Sequence, residues 1–278
     1  MVFAGKKLAL KKENELARRV VGFKKKFGRV PKLVAIQVGE NPASELYLKM
    51  KKQAAGRVGI DFEVEKFPSL VGLTLLLHRI RVNNKNPRVD GIMVQLPLPE
   101  KLGTDNSKLE VLGSIEPTKD VDCLTPENLG RLLMGKPRFL PATVRAVIEI
   151  IGEALGSPAG KNVVIVGGSN IVGKPLAMVL SNLGATVTVC RSKTKDLGSF
   201  TRRAEILVSA TSISGLIKAK MVKRGAIVID VGSPKGDVDF EEVKKVASFI
   251  TPVPGGVGPI TVVCLLENVL EAAQGFCK

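Results

Sequence analysis

The chain has 278 residues, which is enough for one large domain or two domains of ordinary size. Hydrophobic residues make up 45% of it and aromatic residues only 4%, which excludes a disordered chain and favours a Val, Ile, Leu and Ala core like that of parallel sheets covered on both faces. The formal net charge of +16 suits an anionic substrate, and because no Arg-rich block is interleaved with aromatic residues we expect no nucleic-acid partner.

Strands and helices alternate through the first hundred residues. Apolar runs predict strands at 32–38, 60–67 and 91–96, and apolar spacing predicts helices at 42–58 and 70–82. Asn41 suits an N-cap, Pro42 a first helical position, and Gly59 the position just after a helix. This order predicts a parallel α/β unit.

A second α/β pattern follows a short helix at 106–115, a polar crossing at 116–122 and a helix at 143–155. Its strands are predicted at 162–166, 186–190, 206–208 and 226–231, before a last helix at 262–273. The predicted fold class is therefore two α/β domains, the second a Rossmann-like NAD(P)-binding domain, with an active-site cleft between them. We place the first domain at 1–119 with 255–278, because the last helix is expected to return to it, and the second at 120–254.

The turn after the strand at 162–166 is rich in small residues. Gly167 permits a tight turn, Gly168 and Ser169 let the backbone approach a pyrophosphate, and Gly173 permits close packing of the next helix. Ser169 stands where the usual pattern has its second glycine, so a turn without a ligand is the alternative.

The next strand ends without a carboxylate for the ribose hydroxyls of NAD. Cys190 is followed by Arg191, Ser192 and Lys193, which would attract a 2′-phosphate. We therefore predict NADP as the cofactor, with NAD possible. The alternative is that these residues only cap a surface turn.

Candidate catalytic residues lie in the first half. Tyr47 and Lys51 are four residues apart on one helix face, and burial would bring the pKa of the lysine into a useful range. The alternative is one more surface lysine beside Lys49 and Lys52. Gln95, at the end of a buried strand, is a site residue or a glutamine bonded to loop backbone.

The segment 252–259 (PVPGGVGP) combines rigid prolines with permissive glycines. Such a segment suits close contact with a flat ligand, and a plain tight turn is the alternative.

Zinc and membrane roles are not expected. No CxxC pair occurs and only one His is present, so we predict no metal site and four thiols in a reducing cytosol: Cys123, Cys190, Cys264 and Cys277. No apolar run reaches the ~20 residues of a membrane span, and the first ten residues do not resemble a secretory signal, which predicts a cytoplasmic protein without membrane contact.

Five segments in order resemble the bifunctional methylenetetrahydrofolate dehydrogenase/cyclohydrolase (FolD) family. They are NPASELYLKMK at 41–51, DGIMVQLPLP at 90–99, KDVDCLTPENLGRL at 119–132, VIVGGSNIVGKP at 164–175 and PVPGGVGPITV at 252–262. The resemblance implies oxidation of 5,10-methylenetetrahydrofolate with NADP or NAD, hydrolysis of the methenyl product to 10-formyltetrahydrofolate, and a homodimer that binds tetrahydrofolate derivatives.

The resemblance also implies residue roles. Tyr47 stacks on the aminobenzoyl ring, Lys51 handles protons, Gln95 holds Lys51, and Asp122 pairs with the pterin amino edge as a fourth member of the catalytic set. Further substrate contacts are implied for Leu96, Pro97, Pro254, Gly255 and Gly256. Cofactor contacts are implied for Gly167, Gly168, Ser169, Ile171, Val172, Arg191, Ser192, Lys193 and Ser233.

The chain departs from the family pattern at three positions. Cys123 replaces Gly and Ile260 replaces Met, and we expect both to change only packing. Ser233 replaces Ile near the nicotinamide side. The competing interpretations are a shikimate-type dehydrogenase, which would have no reason to keep VQLPLP and PGGVGP, and a basic nucleic-acid-binding protein.

Overall fold

The structure is a computed structural model and describes residues 1–275. The described chain divides into two compact units, each with its own parallel sheet. The three-stranded unit comprises Leu10–Ala142 and 262–275, and the five-stranded unit comprises Met1–Ala9 and Thr143–Thr261. The predicted α/β class with two domains is confirmed, and the cleft between them stays a prediction.

Strands and helices alternate along residues 1–275, except that three α-helices follow one another between the third and fourth strands. The strands are β1 (Lys32–Val38), β2 (Asp61–Phe67), β3 (Gly91–Val94), β4 (Asn162–Val166), β5 (Thr186–Cys190), β6 (Ile206–Ser209), β7 (Ile227–Asp230) and β8 (Phe249–Ile250). The α-helices are α1 (Gly5–Phe27), α2 (Pro42–Val58), α3 (Leu73–Lys85), α4 (Asp105–Gly113), α5 (Pro126–Leu133), α6 (Ala142–Leu155), α7 (Gly173–Asn182), α8 (Leu197–Thr201), α9 (Phe240–Val243) and α10 (Val257–Gln274). Short 3-10 helices lie at Glu100–Leu102 and Ala219–Met221.

The three-stranded sheet has the order β2–β1–β3, with every pair parallel. After β1 the chain enters α2 through a capped turn, in which the Asn41 side chain accepts the backbone N–H of Ser44 at 3.0 Å and Pro42 follows. Gly59, at φ 82°, ends the helix. The cap, the proline and the final glycine agree with the prediction.

The five-stranded sheet has the order β5–β4–β6–β7–β8 and is also parallel throughout. The first residues of the chain join its edge, since Val2 forms a parallel bridge with Ile250 and the Phe3 N–H donates to the Ile250 carbonyl at 2.9 Å. The turns that follow β4, β5, β6 and β7 therefore share one edge of this sheet, where ligands of open α/β sheets bind.

The division of the chain differs from the predicted bounds of 1–119 with 255–278 and 120–254. Residues 120–142 belong to the three-stranded unit because Asp120 bridges to Ile92 of β3. Asn268 of α10 also donates to the carbonyls of Val121 and Leu140, at 2.8 and 2.9 Å. These contacts hold residues 120–142 beside β3. From the sequence alone, 116–122 is recognisable only as a polar segment between the two domains.

Two predicted helices differ from the structure by three residues or more at one or both ends. The helix expected at 70–82 is α3, which begins after Gly72, because the Val71 N–H donates to Pro68 and closes a turn first. The helix expected at 262–273 is α10, which begins inside the 252–259 segment, where Pro259 is tolerated in the first turn.

By length and composition α10 could cross a membrane, but 61% of that segment is buried, as in the core helix of a globular protein. Cys123 and Cys190 are buried thiols. The prediction for Cys277 lies outside the described residues.

Candidate active site

Helix α2 brings Tyr47 and Lys51 to one face, one turn apart. Both residues are partly buried, whereas the neighbouring Lys49 and Lys52 are exposed. The structure therefore decides against the interpretation of Lys51 as one more surface lysine.

The Lys51 amine is held by a side chain from the end of β3. Lys51 Nζ donates to Gln95 Oε1 at 3.1 Å and lies 3.8 Å from Met93 Sδ. Gln95 Nε2 donates to the Leu96 carbonyl at 2.9 Å, which fixes the amide with its oxygen toward the amine. Gln95 therefore bonds both to loop backbone and to the lysine, and its role as a site residue stays a prediction.

Asp122 completes this group, which we call the lysine site (Lys51, Gln95 and Asp122). Burial lowers the pKa of Lys51, and the charge of the Asp122 carboxylate opposes that shift in part. Burial likewise raises the pKa of Asp122, with Lys51 opposing and Asp120 adding to the rise. A lysine and an aspartate whose pKa values are drawn toward each other form an acid–base pair suited to moving protons.

Asp120 sets the path of the loop that carries Asp122. Its carboxylate accepts the N–H groups of Leu124 and Thr125 at 3.1 and 2.8 Å, and the side-chain amide of Asn128 at 2.9 Å. Sequence reasoning did not single out Asp120 or Asn268, although a buried carboxylate followed by Thr-Pro at a helix start is the available signal.

Cys123 has an unusual backbone conformation. Its φ is 57°, in the left-handed region that favours glycine, and its side chain is buried next to Asp122. The expectation that the cysteine changes only packing stays a prediction, and the left-handed φ adds backbone strain beside the lysine site as a second effect to test. Ile260 is fully buried in α10, as a packing residue would be.

The glycine turn (residues 167–173) follows β4 in the five-stranded unit. Gly167 has φ 120°, and a Cβ atom there would overlap the Ala210 carbonyl. A Cβ atom at Gly173 would overlap the Gly167 carbonyl, which confirms the predicted close packing of α7 on the turn. Ser169 Oγ accepts the Val172 N–H at 3.2 Å and shapes the turn before the helix.

Arg191 lies over this turn. A Cβ atom at Gly168 would be 2.9–3.0 Å from the Arg191 side chain, so the guanidinium stem packs on the glycine backbone. The Arg191 N–H donates to Thr194 Oγ1 at 2.8 Å, which closes the turn after β5 and leaves Ser192 and Lys193 exposed. A backbone turn and exposed cations at adjacent strand ends suit a phosphorylated dinucleotide.

The 252–259 segment meets the start of the chain. A Cβ atom at Gly256 would lie 2.5 Å from the Pro252 carbonyl, and one at Gly5 would overlap the Gly256 carbonyl. Gly256 is therefore required by packing. Gly255, at φ 104°, has only the flexible Lys6 side chain within 4 Å of such an atom, so it is packed less closely than Gly256.

The remaining predicted site residues lie in loops that follow strands. Leu96 and Pro97 directly follow Gln95, and the Leu96 carbonyl accepts the Ser44 hydroxyl at 3.4 Å. Ser233 is partly buried in the loop after β7. Ile171 is partly buried in the glycine turn, and Pro254 is exposed.

The fold and these two sites define a two-domain α/β enzyme that carries a dinucleotide turn in one unit and a buried lysine in the other. Two family models match the chain: the catalytic domain of tetrahydrofolate dehydrogenase/cyclohydrolase over residues 3–122, and its NAD(P)-binding domain over residues 141–276. The chain belongs to the tetrahydrofolate dehydrogenase/cyclohydrolase family. This membership decides against the shikimate-type alternative.

Similar proteins match over nearly their full lengths. The bifunctional protein FolD of Nautilia profundicola is 45% identical, over 100% of this chain and 98% of the relative. The crystal structure of the bifunctional FolD enzyme from Campylobacter jejuni is 42% identical with a TM-score of 0.94, covering 99% of each chain. The FolD structure from Trypanosoma brucei, complexed with NADP cofactor and an inhibitor, is 36% identical with a TM-score of 0.94, covering 99% of this chain and 98% of that one.

Proposed function

We propose that the chain oxidises 5,10-methylenetetrahydrofolate to 5,10-methenyltetrahydrofolate with NADP and then hydrolyses this product to 10-formyltetrahydrofolate. It would thus act as oxidoreductase and hydrolase in folate one-carbon metabolism, which feeds purine biosynthesis. The observation that carries the proposal is the lysine site, in a chain that belongs to this family.

The five-stranded unit supplies the cofactor residues. Bound NADP would supply the acceptor for the hydride of the methylene carbon, and the folate nitrogens would stabilise the resulting cation. The pyrophosphate would lie against the glycine turn, at Gly167, Gly168, Ser169, Ile171 and Val172. Arg191, Ser192 and Lys193 would face the 2′-phosphate, and Ser233 the nicotinamide side. NAD is the less favoured cofactor, since no carboxylate follows β5 to hold its ribose hydroxyls.

The folate would contact the remaining predicted residues. Tyr47 stacks on its aminobenzoyl ring, one turn from Lys51, and Asp122 accepts hydrogen bonds from the pterin amino edge. Further contacts come from Leu96, Pro97, Pro254, Gly255 and Gly256.

Hydrolysis uses the Lys51 amine as a proton carrier. Water adds to the methenyl carbon while Lys51 Nζ takes one of its protons, which leaves a neutral hydroxyl adduct. The bond from that carbon to N5 then breaks as N5 takes up the proton held by Lys51, and the hydroxyl group loses its proton to solvent and becomes the carbonyl of the formyl group on N10. The lowered pKa of Lys51 favours the neutral amine, which is the form that accepts a proton. Gln95 Oε1 keeps the amine in place.

Separate assays with methylenetetrahydrofolate plus NADP or NAD, and with methenyltetrahydrofolate alone, test this proposal. We expect reduced cofactor with the first substrate, faster with NADP, and loss of the methenyl absorbance with the second. The proposal would be contradicted by a purified, folded chain that reduces neither cofactor and does not hydrolyse methenyltetrahydrofolate faster than the uncatalysed rate.

We further expect a homodimer in the cytoplasm that does not bind nucleic acid. Light scattering should give about twice the chain mass of 29.7 kDa. Salt-sensitive retention on DNA at physiological ionic strength would instead support the nucleic-acid alternative.

A further inference from the structure

Two buried aspartates hold the loop that follows β7. Asp230 is the last residue of β7, and Asp237 closes the loop that contains Ser233. The Asp230 carboxylate accepts the N–H groups of Gly232, Asp237 and Val238 at 2.8, 3.0 and 2.9 Å. Both aspartates are buried, with 3% and 0% of their surface exposed.

Asp237 also connects this loop with the one that follows β6. Asp237 Oδ2 accepts the Ser209 hydroxyl at 3.0 Å and the Thr211 N–H at 2.6 Å. Ala210, between these two residues, presents its carbonyl to the Gly167 backbone so closely that a Cβ atom would not fit. One carboxylate therefore links the loops after β6 and β7, and the first of these loops packs on the glycine turn.

The loop after β7 is closely packed around its two glycines. A Cβ atom at Gly232 would lie 2.7 Å from both the N and Oδ1 atoms of Asp237, and one at Gly236 would lie 2.6 Å from Asp230 Oδ2. Asp237 Oδ1 is buried without a hydrogen-bond partner among the described residues. Such an under-satisfied buried carboxylate costs free energy, so the arrangement calls for a functional explanation.

We propose that Asp237 is a positioning residue for the dinucleotide, which acts by holding the loops after β6 and β7 in the conformation that receives NADP. Both loops lie at the carboxyl edge of the sheet, where ligands of open α/β folds bind, together with the glycine turn. The inference rests on the proposed function for the identity of the ligand, but not for the geometry of the loops.

The test is Asp237→Ala, in which the N–H of Thr211 and the hydroxyl of Ser209 lose their acceptor. We expect the Kd for NADP, measured by calorimetry, and its KM in the dehydrogenase reaction to rise about tenfold. Hydrolysis of methenyltetrahydrofolate should stay unchanged, because the lysine site lies in the other unit. In Asp237→Asn the amide oxygen still accepts the Thr211 N–H, so we expect NADP affinity close to that of the wild type.

Glu205→Ala is the matched control. Glu205 Oε2 accepts the Asn162 N–H at 3.0 Å, so it also holds backbone by a carboxylate, but at the opposite, amino-terminal edge of the same sheet. NADP affinity should not change in this variant. An unchanged NADP Kd in Asp237→Ala, an equal loss in Glu205→Ala, or a parallel fall of both activities in Asp237→Ala would overturn the inference.

If Asp237→Ala does not fold, Gly232→Ala is used to test the inference, because its new methyl group must displace Asp237. A wild-type NADP Kd in that variant overturns the inference, and a selective loss of NADP affinity supports it. Failure of the proposed function would appear differently, as a wild-type chain without turnover, and the calorimetric comparison would still test the role of Asp237.

Discussion

The candidate site of the three-stranded unit consists of side chains, whereas that of the five-stranded unit consists mainly of backbone. In the three-stranded unit the lysine site consists of side chains whose burial shifts their pKa values. In the five-stranded unit the site consists of backbone at Gly167 and Gly173, with Arg191 exposed beside it. Proton transfer needs perturbed side chains, whereas phosphate binding needs N–H groups and open access. Substitutions in the two units should therefore affect different steps.

The largest effect is expected for Lys51→Met, which keeps the length of the side chain and removes the amine. Hydrolysis of methenyltetrahydrofolate should fall about 100- to 10,000-fold, the usual contribution of a general acid–base group, while folate still binds. Lys52→Met, at an exposed neighbour on the same helix, is the control and should hydrolyse normally. A wild-type rate in Lys51→Met would exclude Lys51 as the proton carrier.

Arg191→Ala is the corresponding substitution in the five-stranded unit, where it should affect the cofactor and not hydrolysis. Loss of the guanidinium should lower the ratio of kcat/KM with NADP to kcat/KM with NAD about tenfold to a hundredfold, since NAD lacks the 2′-phosphate. Hydrolysis should not change. Equal efficiency with both cofactors in the wild type, or an unchanged ratio in the variant, would refute the role of Arg191.

Asp122→Ala should mainly weaken folate binding. The charge-assisted hydrogen bonds to the pterin edge are worth about 1.5–3 kcal/mol, or roughly tenfold to a hundredfold in Kd. The measurement is the Kd for the folate, obtained from a calorimetric titration, and the Kd for NADP serves as the internal control. Unchanged folate affinity would count against the assignment.

The smallest effect is expected at Cys123, where strain can be separated from packing. Cys123→Gly and Cys123→Ala both remove the thiol, but only glycine adopts φ 57° without strain. The glycine variant should be more stable than the alanine variant by about 1 kcal/mol in urea unfolding. Equal stability, or a more stable alanine variant, would show that the position is not strained.

Much of the fold was predictable from local pattern. The bounds of β1, β4 and β5 follow from buried apolar runs closed by turn residues. Helix α1 was not predicted, because its many lysines conceal an apolar stripe at Leu16, Val20 and Phe23, all of them buried.

The site was only partly predictable, because its decisive contacts join distant segments. Nothing in the sequence distinguishes the roles of Asp120 and Asp122. In the structure Asp120 accepts backbone N–H groups, whereas Asp122 interacts with the charge of Lys51. The positive φ of Cys123 depends on the same loop. Spacing along the helix predicts that Lys51 shares a face with Tyr47. The burial that lowers the pKa of the Lys51 amine depends on the three-dimensional structure and could not be predicted from that spacing.

The most direct test of the account is the pH dependence of kcat/KM for methenyltetrahydrofolate hydrolysis, in the wild type and in Asp122→Asn. The neutral Lys51 amine is the active form, so the rate should rise with pH as Lys51 loses its proton, at a pH below the ordinary pKa of lysine. The Asp122 charge raises the pKa of Lys51, so the Asp122→Asn variant should show this rise at lower pH. A rise at the ordinary pKa of lysine, or a profile that Asp122→Asn leaves in place, would contradict the assignment of the lysine site as the proton-transfer centre.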